Sequence, residues 1–175
     1  MDLRIVKTHK ALYTAFYEIR TSMPLEKVTV TSVCKKALVN KSTFYAHYRD
    51  IYALSNEMED ALVDKMMESF PEKDQLFTHP RAFLEGFPKA INTVFSSLLV
   101  LFDNRPEILG RKLERQLITI YCTPEQSSKR TLYVTFVVAG MLRIMDKNVY
   151  EAAKDKEQLI DTLVAIVEQL SLPQE

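Results

Sequence analysis

Glycine is scarce in this chain: three residues in 175. With Leu, Met, Lys and Glu abundant, that scarcity points to an all-α protein. Cysteine is scarce too. Cys34 and Cys122 lie far apart, in no metal or redox spacing, and read as buried thiols of a reducing cytosol. A Gly-rich phosphate loop, paired His/Cys ligands and a nucleophile elbow are all missing, so no enzymatic activity, metal or cofactor is expected. The acids Glu57, Glu59 and Asp60 read as solvated helix faces, and His9 and His79 as residues without partners. No hydrophobic leader opens the sequence. The longest apolar segment, Val94 to Phe102, is interrupted by two serines and is too short to cross a bilayer. A cytoplasmic protein without membrane association is expected.

What is present centres on Thr29–Tyr48, TVTSVCKKALVNKSTFYAHY. Val30, Val33, Ala37, Val39, Phe44 and Tyr48 recur at the spacings of two short helices sharing one core. Thr29 suits the N-cap of the first, because its hydroxyl can accept from a free amide one turn on. The chain turns at Leu38–Val39–Asn40, and Asn40 suits the N-cap of a second helix beginning at Lys41. At 100° per residue, Phe44 and Tyr48 point inward while Ser42, Tyr45 and Ala46 point outward. Lys41 and Thr43 flank the outward face. A short helix showing a lysine, hydroxyls and a tyrosine suits a DNA major groove, where such groups reach phosphates and base edges. An ordinary αα-hairpin with a polar face satisfies the same spacing.

Net charge is zero overall but unevenly spread. Residues 1–55 hold nine Lys/Arg against four acids, an excess of five positive charges that the remainder balances. A basic head on an acidic body fits a protein that docks one end on phosphates.

The run ALVNKSTFYAHY followed by RDIYAL resembles the DNA-binding signature of the TetR family of bacterial repressors. Ala37, Val39, Lys41, Thr43, Tyr45 and His47 stand as that family has them, and Asn40, Ser42, Phe44 and Tyr48 are close replacements. The resemblance covers about residues 5–60. It implies a homodimer on a pseudo-palindromic double-stranded DNA operator, released by a small-molecule ligand, with a long fourth helix joining head to body. The DNA-binding set it implies is Thr31, Asn40, Lys41, Ser42, Thr43, Tyr45 and His47. Lys41 and Tyr45 would take phosphates, and Ser42, Thr43 and Ala46 would lie nearest the bases. Two positions depart from the pattern. Leu38 replaces the turn glycine, at a strain of about 1 kcal/mol or more if φ is positive there. Ile51 replaces a lysine and removes one phosphate contact.

The rest of the chain reads as helices. An amphipathic helix from Arg4 to about Ser22 (Ile5, Leu12, Phe16 and Ile19 inward) ends at Met23-Pro24. Asp50 caps a long helix to Phe70 with Leu54, Met58, Ala61, Leu62 and Met66 in register. The polar, proline-bracketed stretch 70–80 follows. A short piece at Arg81–Phe87 is expected to stop at Pro88, and an apolar helix to span Lys89 to Asn104. Further helices are expected from Pro106 to Tyr121, from Pro124 to about Lys147, and from Lys156 to Leu170. The expected architecture is thus a three-helix head with a helix-turn-helix, residues 1–50, joined by a long helix to a ligand-sensing and dimerising bundle, residues 51–175, with eight or nine helices in all.

The last two helices are apolar on more than one side, as a dimer-forming four-helix bundle requires. Val137, Gly140, Met141, Ile144, Leu163 and Val167 are the expected interface. Met66, Phe87, Phe95, Phe102, Tyr121 and Phe136 are the expected lining of a ligand cavity. A second reading keeps the fold and the homodimer but makes a protein the partner, the chain acting as co-activator or scaffold; Leu38 and Ile51 are the residues that favour it.

Overall fold

The computed structural model describes residues 3–103, 105–122, 128–144 and 156–170. Among them are eight α-helices and no strand: α1 (Leu3–Arg20), α2 (Val30–Ala37), α3 (Lys41–His47), α4 (Ile51–Glu68), α5 (Pro80–Phe102), α6 (Pro106–Tyr121), α7 (Ser128–Ile144) and α8 (Lys156–Leu170). A 3₁₀ turn, Leu25–Lys27, follows α1. The expected helix start at Pro124 and ends at Asn104 and Lys147 lie outside the described residues. No described helix is long and apolar enough to cross a membrane.

The chain forms two compact units, one of Met1–Leu62 with Ser96–Asn104, the other of Val63–Phe95 with Arg105–Glu175. In the first, α1 packs on α2 and α2 on α3. Leu12, Phe16, Val33, Phe44 and Leu54 are fully buried there, with Tyr48 and Ile51 beside them. Burial of each such side chain stabilises by roughly 1.5–3 kcal/mol, which is what holds so small a head together. Ile5, expected inward, is exposed, and Ala15 takes its place in the buried stripe of α1. Along α4 the buried stripe runs Ile51, Leu54, Ser55, Met58, Glu59 and Val63, leaving Ala61 exposed. Glu59 is therefore not a solvated acid. It is buried and accepts a hydrogen bond from Ser55 Oγ at 2.8 Å.

Arg20, the last residue of α1, is buried and holds the end of α5 within the same unit. Its Nη2 donates to the Val100 carbonyl at 2.8 Å, its Nη1 to the Met23 carbonyl at 2.7 Å, and Asp103 Oδ2 lies 3.4 Å from Nη1.

In the second unit, α6 packs on α7. Phe70, Phe83 and Phe87 form an aromatic cluster with centroids 5.0–6.2 Å apart. Pro88 does not stop the helix as expected: α5 runs unbroken from Pro80 to Phe102. An internal proline costs about 3 kcal/mol or more through a lost hydrogen bond and a clash with the carbonyl four residues back. Phe83, Leu84, Phe87, Ala90, Ile91 and Val94 are all buried along one stripe that crosses the proline. Their burial outweighs that cost.

The proline-bracketed stretch after α4 is pinned rather than loose. Tyr121 Oη accepts from the Leu76 amide at 2.7 Å and donates to the Lys73 carbonyl at 2.8 Å, while Phe77 meets the Tyr121 ring edge-on. Burial drives the Tyr121 phenol well above its ordinary range, so it keeps its proton and its role as donor. Tyr121→Phe should strand the buried Leu76 amide and cost roughly 1–3 kcal/mol of stability. Urea titration of the two proteins checks this, and equal midpoints would mean that the amide has another acceptor.

Candidate nucleic-acid interface

Local chemistry builds the α2–α3 pair. Thr29 Oγ1 accepts from the Ser32 amide at 3.1 Å, and Ser32 Oγ accepts from the Thr29 amide at 3.2 Å, a reciprocal capping box that starts α2. Asn40 Oδ1 accepts from the Thr43 amide at 2.7 Å and starts α3. Asp50 Oδ1 accepts from the Ala53 amide at 2.8 Å and starts α4. Between α2 and α3, Leu38 sits at φ 56° and ψ 37°, left-handed backbone that favours glycine, and its side chain is 94% exposed. Because that side chain packs on nothing, Leu38→Gly should relieve the strain without opening a cavity. A gain of up to about 1 kcal/mol is expected, read from the denaturant midpoint; a loss would show the leucine to be packed after all.

The capped α3 has two faces. Phe44 and Tyr48 are buried, whereas Lys41, Ser42, Ala46 and Tyr45 are exposed, Tyr45 by 55%. Thr31 is exposed on the first turn of α2, and Thr43 and His47 are half-buried. Thr31, Asn40, Lys41, Ser42, Thr43, Tyr45 and His47 thus all reach the surface of one two-helix element. Two of them already interact, Ser42 Oγ donating to Asn40 Oδ1 at 2.8 Å. Lys41 enters no ion pair among the described residues, whereas Lys36 pairs with Glu18 of α1 at 2.8 Å. Ile51, at the position of the missing lysine, belongs to the core.

Behind α3 lies a polar cluster that sequence reasoning missed. His9, expected to stand alone, meets His47 with Nε2 to Nδ1 at 3.3 Å and ring centroids at 4.7 Å. Its Nδ1 lies 2.9 Å from Tyr48 Oη and 3.6 Å from Glu57 Oε1. Tyr48 donates to Glu57 Oε1 at 3.1 Å, and Tyr13 donates to the same oxygen. Burial pushes both phenols up, and so does Glu57, through its hydrogen bond to Tyr13 and its charge beside Tyr48. Both therefore remain O–H donors. The one available signal was the i, i+4 pairing of His9 and Tyr13, which puts them on one side of α1. Cys34 is buried, and burial raises its thiol, as an inert core cysteine requires.

In the second unit a cavity of about 380 Å³ is lined by Leu84, Phe87, Pro88, Met141, Ile144, Leu159, Ile160 and Leu163, with Glu85 and Lys89 also on its wall. Of the residues expected around a ligand, Phe87 is on that wall. Met66 and Tyr121 are buried elsewhere in the same unit, and Phe102 is buried in the other. Phe95 and Phe136 are more than half exposed. Of the residues expected at a dimer interface, Met141, Ile144 and Leu163 line this cavity, while Val137 and Val167 are buried within the subunit. Around Gly140 there is open space, and the large exposed apolar side chains of α7 are Leu132, at 66%, and Phe136, at 62%.

No family model and no curated protein matches this sequence. Among solved structures, the crystal structure of the TetR family repressor AlkX from Dietzia sp., implicated in biodegradation of n-alkanes, aligns with 95% of this chain and 99% of its own, at 13% identity and a TM-score of 0.38.

Proposed function

We propose that this protein is a DNA-binding transcriptional regulator of the TetR type, a repressor that grips a pseudo-palindromic operator as a homodimer and lets go when a small molecule binds. The observation that carries the reading is the division of α3: aromatic side chains buried on one side, and an exposed lysine, serine and tyrosine on the other. In this reading α2 and α3 are a helix-turn-helix and α3 enters the major groove. Lys41 and Tyr45 bind phosphates. Ser42, Thr43 and Ala46 lie nearest the bases, Thr31 beside them, and Asn40 holds the helix start. Ala46 can only touch a thymine methyl, so direct readout is modest.

Residues 1–50 serve DNA, and residues 51–175 serve ligand and dimer. The α5–α7–α8 cavity, largely apolar, is the place for the ligand. The exposed Leu132–Phe136 stripe, one turn apart on α7 and continuing to Ala139-Gly140, is the face on which a second copy would sit. A monomer mass by sedimentation at micromolar concentration would remove the dimer.

Selection of bound fragments from total genomic DNA tests the whole reading. An enriched two-fold symmetric sequence supports it. Enrichment of nothing at low salt favours the second reading, a protein partner, for which the near-complete exposure of Leu38 is the supporting observation.

A further inference from the structure

Counting donors in the cluster behind α3 determines where its protons sit. An ionised carboxylate only accepts, so Tyr13 and Tyr48 each spend their single hydroxyl proton on Glu57. Tyr48 Oη then has only lone pairs left for His9, and His9 must present Nδ1–H to it. A neutral imidazole with Nδ1 protonated has a bare Nε2. That nitrogen can accept only if His47 presents Nδ1–H across the 3.3 Å separation. The chain Glu57, Tyr48, His9, His47 is therefore directional, and it leaves His47 Nε2 without a proton in the neutral state. His47 Nε2 has no hydrogen-bond partner among the described residues, and the His47 side chain is half-buried rather than sealed.

Adding one proton to the two imidazoles has one undamaging outcome. On Nε2 of His47 it creates a new donor and breaks nothing. The charge can then be shared with His9 by sliding the proton between Nδ1 and Nε2, and His47 Nε2–H stays in place either way. A second proton would set two N–H groups facing each other and break the pair. His47 is the last residue of α3, where the helix dipole favours a cation. It lies one turn from Thr43, roughly 40° away around the helix. The titratable groups recorded around the pair are Tyr13 from α1, Tyr48 at the end of α3 and Glu57 from α4. Arg49 and Asp50, next along the chain, are paired with each other at 3.1 Å.

We infer that Glu57, Tyr48 and His9 are positioning residues that make His47 Nε2 the entry point for a single proton, so that pH sets one positive charge per subunit on the DNA-contacting helix. This rests on the DNA-binding reading for its consequence, though not for its chemistry. Protonated His47 adds a charged phosphate donor, so DNA affinity rises on acidification. A hydrogen bond to a charged group corresponds to about tenfold or more in binding constant.

Two-bond ¹H–¹⁵N correlation spectra of the free protein read which nitrogen of each histidine carries hydrogen, with the exposed His79 as internal reference. At high pH, His9 and His47 are both expected as Nδ1–H, with His47 Nε2 gaining its proton on acidification. In Tyr48→Phe the His47 tautomers should mix. Nε2–H on His47 at high pH overturns the inference. The selected DNA is then titrated at pH 8 and pH 6. Wild type is expected to tighten about tenfold, with a steeper salt dependence by about 0.9 per added charge, while His47→Gln stays flat. Equal tightening in His47→Gln overturns the regulatory half. Wild type that ignores DNA at both pH values refutes the DNA-binding reading and the pH-set grip with it; the spectra decide the proton assignment independently.

Discussion

Lys41→Ala combined with Tyr45→Ala is expected to abolish operator binding while helicity, assembly mass and the thermal midpoint stay close to wild type. Both side chains are exposed, and Lys41 enters no ion pair among the described residues. The Tyr45 ring meets Phe44 edge-on at 5.5 Å, a contact of about 0.5–1.5 kcal/mol, so the stability change is small. The binding change is not. Each hydrogen bond from these groups to a phosphate is charged on at least one side and contributes roughly 1.5–3 kcal/mol. On the proposed reading a dimer would lose four of them, enough to remove a specific complex. The Lys41→Ala single variant should also flatten the salt dependence of log K by about 0.9 per subunit. Mobility shifts at several salt concentrations report both quantities. Undiminished binding by the double variant, with its fold intact, would place the contact surface elsewhere on the molecule.

The largest stability effect is expected at Arg20. Arg20→Met keeps most of the buried stem and removes the donors that satisfy the Met23 and Val100 carbonyls. The Val100 carbonyl belongs to the last turn of α5, where the helix supplies no partner of its own. Losing these part-buried hydrogen bonds, each made by a charged donor, costs about 1.5–3 kcal/mol apiece, so a loss of roughly 3–5 kcal/mol is expected. The thermal midpoint should fall by about 10 °C. A hydrophobic replacement of a buried ion can be neutral when its partner is replaced too. Here two of the partners are backbone carbonyls and remain, and Asp103, 3.4 Å from Nη1, is left without its cation. A midpoint within a degree of wild type would mean that water reaches these carbonyls.

What the sequence made legible was local. The caps at Thr29, Asn40 and Asp50 each join a side chain to an amide three residues on, and all three are found. The two faces of α3 follow from its 100° period, and Phe44 and Tyr48 are buried as that period requires. The strain anticipated at Leu38 is real, because a turn that tight demands a positive φ. What stayed hidden depends on residues far apart in the chain. His9 meets residues 38, 39 and 48 positions away, and no periodicity encodes such a meeting. Glu59 counts as polar in any pattern, yet Ser55 one turn earlier makes its burial tolerable. Pro88 signals a stop through its local cost, while the packing that overrides it comes from other elements. For the same reason Met141, Ile144 and Leu163 face a cavity: an apolar stripe does not say which neighbour it will find.

The rung that Pro88 cannot supply has a mechanical consequence. Proline offers no amide to the carbonyl of Leu84, and both residues border the cavity. That wall of the chamber therefore lacks one rung of the hydrogen-bond ladder of a 23-residue helix. Anything that presses on that wall presses on a turn held by one hydrogen bond fewer than the turns beside it.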